Sequence, residues 1–154
     1  MFRVVPDQEL GCSIASTLEV IGDRWRILIL RDAFRGVRRF DDIQRDLGIA
    51  RNILTDRLQK LVDNEVLERR LYQSRPARYE YRLTPRGVDL SPALVALMHW
   101  GDRHLAGEAG PAVVLTHGAC GEPVDQTFVC WTCDQTILPT AIRSRPGPGA
   151  RKSA

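Results

Sequence analysis

Four residues in the last third of the chain have the types and spacing of metal ligands: His117-x2-Cys120-x9-Cys130-x2-Cys133. Each pair has the form of a zinc knuckle, in which a tight turn lets two ligands approach one tetrahedral ion, and thiolates with an imidazole suit zinc. The intervening loop is shorter than in most zinc modules. The CWTC stretch at 130–133 also reads as a redox-active dithiol, although the βαβ context of a thioredoxin-like enzyme is missing. A third reading gives these residues no special chemistry. Cys12, the remaining cysteine, directly precedes an expected helix start, where the helix dipole favours a thiolate, so it is a candidate sensor or else a small buried residue. His99 and His104 are five apart on one helix, a spacing that does not align two ligands, and read as ordinary residues.

A second set of residues suits nucleic acid. Arg51, Asn52 and Thr55 fall in the first turns of an amphipathic helix; Arg pairs with guanine and Asn with adenine. Gln59 and Lys60 follow on the same face and suit phosphate contact. Arg57 sits beside the apolar stripe and reads equally as a structural ion pair or a phosphate contact. Arg75 and Arg78 flank a turn containing Pro76, from which both can reach phosphates or a minor groove. Each of these residues also fits a plain solvated surface.

The elements that must position them follow from periodicity. Ser13 can cap a helix carrying Ile14, Leu18 and Ile21 to Gly22, and Asp23 can cap a second, Arg24 to Arg35, that is apolar nearly all round. Gly36 stops it. A short extended piece, Val37 to Phe40, leads to a third helix with Asp41 and Asp42 at its positive end, running to Leu47 before the Gly48 turn. The fourth helix, about Arg51 to Asn64, puts Leu54, Leu58, Leu61 and Val62 on a core face. Strand-like alternation over Val66 to Gln73 and Arg78 to Leu83, around SRPA, gives a hairpin in which Tyr79 and Tyr81 pack on one face. A long helix then starts at Thr84-Pro85 with a stripe of Leu90, Leu94, Leu97, Met98, Gly101 and Leu105, kinked by Pro92.

Length and composition fit this plan. The 154 residues and 44% apolar content supply one domain and a small appendage, not a multidomain enzyme. No apolar run, Ile27 to Leu30 included, comes near the roughly 20 residues of a membrane span. The N-terminus lacks a secretion signal, so a cytoplasmic address with reduced cysteines is expected. Net charge is +3, with 14 Lys and Arg against 10 acids over residues 31–90, and 20 of the 22 cations are Arg. The expected organisation is a winged helix-turn-helix domain at 1–107, a small Cys/His β-rich appendage at 108–142 and a disordered basic tail at 143–154. The fold class is mainly α with a small β-hairpin wing.

Two short helices, a Gly turn, a polar-faced helix and a hairpin make a winged helix-turn-helix, which serves either DNA binding or protein docking. The residues narrow the choice. Cys12, IGDRW at 21–25, ILR at 29–31, RRF at 38–40, LTDRL at 54–58 and RYEYRLT at 78–84 together resemble the HxlR-type family of bacterial transcriptional regulators, over about residues 12 to 103. The resemblance implies a homodimer paired through the first and last helices of the family domain, bound to double-stranded DNA at an inverted repeat, with Cys12 placed to sense reactive molecules. It implies no enzyme activity. The chain has Ala50 where the family usually has a capping Ser before the recognition helix, and Asp23 where Gly is common. The rival readings are a winged-helix protein-docking module and a thiol oxidoreductase using Cys130 and Cys133.

Overall fold

The structure is a computed structural model that describes residues 12–145 and 147–148. Helices α1 (Ser13–Ile21), α2 (Arg24–Phe34), α3 (Phe40–Leu47) and α4 (Arg51–Asp63) come first, followed by strands β1 (Leu67–Ser74) and β2 (Ala77–Leu83). Helices α5 (Pro85–Val88) and α6 (Ser91–Leu105) and the short strands β3 (Phe128–Cys130) and β4 (Gln135–Ile137) complete the order. This is the expected winged helix-turn-helix with a β-containing appendage. Chain contacts divide at Leu94/Val95 into two compact units. No helix among the described residues is long and apolar enough to cross a membrane.

In the first unit, Ile21, Ile29, Leu30, Ile43, Ile49, Leu54, Leu58, Leu61, Val66 and Leu67 form one buried cluster. Every one of the first four helices and the start of β1 contributes, so removing any element opens the core. Asp23 caps α2 as anticipated, accepting from the backbone N–H groups of Trp25 at 3.0 Å and Arg26 at 3.3 Å. Gly48 ends α3 at φ +61°, the left-handed conformation that glycine adopts without a Cβ penalty, and so sets the turn into α4. Strands β1 and β2 pair antiparallel from Leu67 opposite Leu83 to Ser74 opposite Ala77. The piece before α3 adds to this hairpin, with an isolated bridge between Arg39 and Glu80 and the Tyr81 N–H donating to the Arg38 carbonyl at 2.8 Å. The wing is thus anchored at its base to the helix-turn-helix.

Three details differ from the sequence reading. Cys12, not Ser13, occupies the N-cap of α1, with no side-chain cap bond; Ser13 is already helical. The Pro92 kink is instead a break: α5 ends at Val88 and α6 begins at Ser91 with Pro92 in its first turn. Proline disfavours helical geometry in the residue before it and fits the first turn, where its missing N–H has no partner to lose. Tyr79 does not share the packing of Tyr81. Tyr81 is half-buried against the core, whereas Tyr79 is exposed with the Arg69 guanidinium 3.6 Å from its ring centroid.

The second unit is unlike the first. Among its described residues none is buried. Beyond the part of α6 that it contains, its order comes from two turns: a hairpin-like loop with a bridge between Thr116 and Pro123, and the β3–β4 hairpin, with Phe128 opposite Ile137 and Cys130 opposite Gln135. Much of the expected basic tail, at positions 146 and 149–154, and the N-terminal segment 1–11 lie outside the described residues.

Candidate nucleic-acid interface

Helix α4 has two faces of opposite character. Leu54, Leu58 and Leu61 are fully buried, while Arg51, Asn52, Thr55, Gln59 and Lys60 are all exposed. The helix starts without a side-chain cap, because Ala50 at the N-cap offers no acceptor. The exposed face is partly engaged with itself: the Thr55 hydroxyl donates to the Arg51 carbonyl at 2.9 Å, Gln59 Nε2 donates to Asp63 at 2.7 Å, and Lys60 lies 3.4 Å from Asp56. Arg51 lies over the Phe40 ring, 4.6 Å from its centroid, and 3.6 Å from the Asp41 carboxylate. The first turn of α4 is thereby docked on the start of α3.

Arg57 resolves as a structural residue. Its Nε donates to Asp23 at 3.0 Å, 34 positions away, and its Nη1 bonds the Asp56 carboxylate. Burial raises the Asp23 pKa, but hydrogen bonds from Arg57 and the Arg26 N–H, with the Arg57 charge and the Trp25 N–H, outweigh it and hold the carboxyl below its ordinary value. One carboxylate therefore caps α2 and ties it to α4.

In the wing, Arg75 and Arg78 lie at the hairpin tip, both exposed and, among the described residues, neither is ion-paired. Around them arginines stack on tyrosines: Arg69 on Tyr79, and Arg39 on Tyr72 at 4.7 Å. Arg38, Arg39 and Arg69 were not foreseen as part of this basic surface. The RRF segment was visible as a motif, but only the bridge to Glu80 shows that it lies against the wing.

Behind α4, Asp32 is a buried carboxylate in α2, met by Arg31 at 2.7 Å and Arg35 at 3.4 Å, both of which also reach Asp46 of α3. Burial pushes its pKa up, against the opposing effect of Arg31. Nothing in the local sequence marks it, since its burial is set by partners on two helices.

The cysteines are all free thiols. Cys12 is half-buried, its carbonyl accepting from Ser16 N–H at 3.0 Å. His117 Nδ1 lies 3.3 Å from Cys120 Sγ. The Cys130 thiol is held below its ordinary pKa by the backbone N–H groups of Cys133 and Thr132, then by the Cys133 side chain. Of the four expected ligands, His117 and Cys120 lie within contact of each other, and no group of three or more His, Cys, Asp or Glu side chains that could hold a metal is gathered among the described residues. His99 faces Asp125 at 3.7 Å and His104 stacks on Trp100 at 5.1 Å.

Known proteins share this arrangement. The HTH-type transcriptional regulator Rv3095 of Mycobacterium tuberculosis, itself uncharacterized, is 46% identical over 139 residues, 90% of this chain and 88% of the relative. The crystal structure of PA1607, a candidate transcription factor, superposes with a TM-score of 0.82 at 34% identity, covering 92% of this chain and 99% of the other. The redox regulator HypR in its oxidized form matches with a TM-score of 0.55 at 29% identity, over 60% of this chain and 96% of that one. With the HxlR-like helix-turn-helix model matching residues 20–109, the chain belongs to that family of transcriptional regulators.

Proposed function

We propose that the protein is a homodimeric, sequence-specific regulator that places α4 in the major groove of double-stranded DNA and the β1–β2 wing on the flanking backbone. It has no catalytic role and acts on chromosomal DNA in the cytoplasm. The observation that carries this reading is the two-faced α4, with three fully buried leucines opposite a wholly exposed polar row headed by Arg51 and Asn52. Pairing of two copies is supported by apolar side chains left in water on a single chain: Ile14 and Leu18 of α1 are 73% and 54% exposed, and Leu97 and Leu105 of α6 are 57% and 73% exposed. A two-fold dimer presents two recognition helices, so the operator is an inverted repeat with half-site centres one or two turns of about 10 base pairs apart.

Sequencing the DNA fragments retained by the full-length protein tests this directly. Arg51→Ala or Asn52→Ala relaxes preference at particular base pairs by about 1 to 3 kcal/mol. Unchanged selectivity in both variants, or binding to random duplex that is insensitive to salt, overturns the DNA reading in favour of protein docking. The solved HypR is a redox regulator; for this chain the half-buried Cys12 at the α1 N-cap is the thiol we assign to an oxidant or electrophile response. A Cys12→Ser protein that still releases its operator normally under such agents removes Cys12 from that role.

A further inference from the structure

The two ligand pairs of the second unit sit on backbones of the same design. In the first, Gly121 N–H donates to the His117 carbonyl at 2.7 Å, and Gly121 has φ +78°. In the second, Asp134 N–H donates to the Cys130 carbonyl, again at 2.7 Å, and Asp134 has φ +55°. Each pair is spaced by two residues, each is followed by a residue in the left-handed region, and each closes a two-stranded turn, through the Thr116–Pro123 bridge and the β3–β4 pairing. Gly and Asp are both residue types that enter the left-handed region readily, so each turn carries a residue suited to its backbone at the same place. The effect of the turn is to bring the two side chains of a pair together: His117 Nδ1 and Cys120 Sγ are 3.3 Å apart. Two ligands on a tetrahedral zinc at ordinary bond lengths are about 3.6 Å apart.

We propose that His117 and Cys120 from one knuckle, with Cys130 and Cys133 from the other, hold one structural zinc ion per chain. Imidazole with three thiolates is a donor set suited to zinc, and four protein ligands leave no position for a catalytic water. The described residues do not gather three or more such side chains into one group, so a four-ligand site requires the two knuckles to close on the ion. The unit has a need that this meets. None of its described residues is buried, and Val113, Phe128 and Trp131 are 61%, 54% and 97% exposed, so it has no apolar core of its own. Segments this small usually hold their fold through a metal, a disulfide or a partner.

The test uses the full chain purified without chelator, with zinc measured by mass spectrometry. One zinc per chain is expected, falling to background both in a Cys130→Ser/Cys133→Ser protein and in a His117→Ala/Cys120→Ser protein. Substoichiometric zinc, or zinc retained by either double variant, overturns the four-ligand site. Because a variant can lose metal by failing to fold, cobalt(II) is also titrated into chelator-stripped wild-type protein. Intense tetrahedral absorption with thiolate charge-transfer bands supports the site. A weak octahedral spectrum overturns it.

Discussion

Replacing Asp23 by alanine removes two functions at once. Its carboxylate receives the N–H groups of Trp25 and Arg26 at the start of α2 and Nε of Arg57 from α4. Loss of the cap alone costs about 1 kcal/mol, and about 2 in the stronger measured cases. In a unit of this size each kcal/mol lowers the thermal midpoint by roughly 4–8 °C. Asp23→Asn keeps an acceptor oxygen but no charge, so its loss is the smaller of the two. Arg57→Ala leaves the cap in place and removes the tie between Asp23 and α4, together with the Arg57–Asp56 pair within α4. The double variant therefore loses less stability than the two single alanine changes added together, which urea unfolding of the four proteins measures. The pH dependence has a definite sign. The folded-state pKa of Asp23 lies below its ordinary 3.8, so the stabilisation is complete above that value and is lost as pH falls further, through the folded-state pKa. The gap between wild type and Asp23→Asn is constant at neutral pH and closes on that acid limb. A stability change below about 0.5 kcal/mol for Asp23→Ala, or strictly additive single changes, refutes the assignment of this carboxylate as the joint between helices.

Ala50→Ser supplies the acceptor that the N-cap of α4 lacks and raises stability by about 1 kcal/mol in denaturant unfolding; an unchanged midpoint shows that the helix start is satisfied by other means. Arg75→Ala and Arg78→Ala each lower the slope of log affinity against log salt by about 1, measured by fluorescence anisotropy on duplex DNA, whereas Arg57→Ala leaves that slope unchanged. Gly87→Ala puts a Cβ 2.2 Å from the Val66 carbonyl oxygen, a backbone atom, and destabilises the winged unit by about 1–3 kcal/mol in the same unfolding assay; a neutral result means that α5 shifts freely.

The helices of the winged unit were legible because burial there is periodic. Leu54, Leu58 and Leu61 announce the inner face of α4, and the Asp23 and Gly48 boundaries are local chemistry. What could not be read was anything decided by a partner distant in sequence. Arg57 offered two equal readings until Asp23 proved to be its neighbour, and Asp32 was an unremarkable acid beside Arg31 and Arg35 until Asp46 of α3 proved to share both arginines. The stripe on α6 shows the opposite failure. Its spacing was right, yet Leu97 and Leu105 remain in water, since periodicity reports that a face is apolar and not what covers it.

The same logic divides labour across the DNA face in a way that composition concealed. On α4 the cations are already occupied: Arg51 by Asp41 and Phe40, Lys60 by Asp56. Exposed pairs of this kind are worth about 0–1 kcal/mol, so DNA can exchange them at small cost, but the neighbouring carboxylates weaken the attraction of the helix for phosphate in general. At the wing tip Arg75 and Arg78 have no such restraint among the described residues. If the wing lies on the DNA backbone as proposed, affinity that is indifferent to sequence and sensitive to salt belongs mainly to the wing. On α4 the proposed base contact of Arg51 has to replace the Asp41 carboxylate that Arg51 gives up, so the proposed complex places selectivity on this helix and general affinity on the wing.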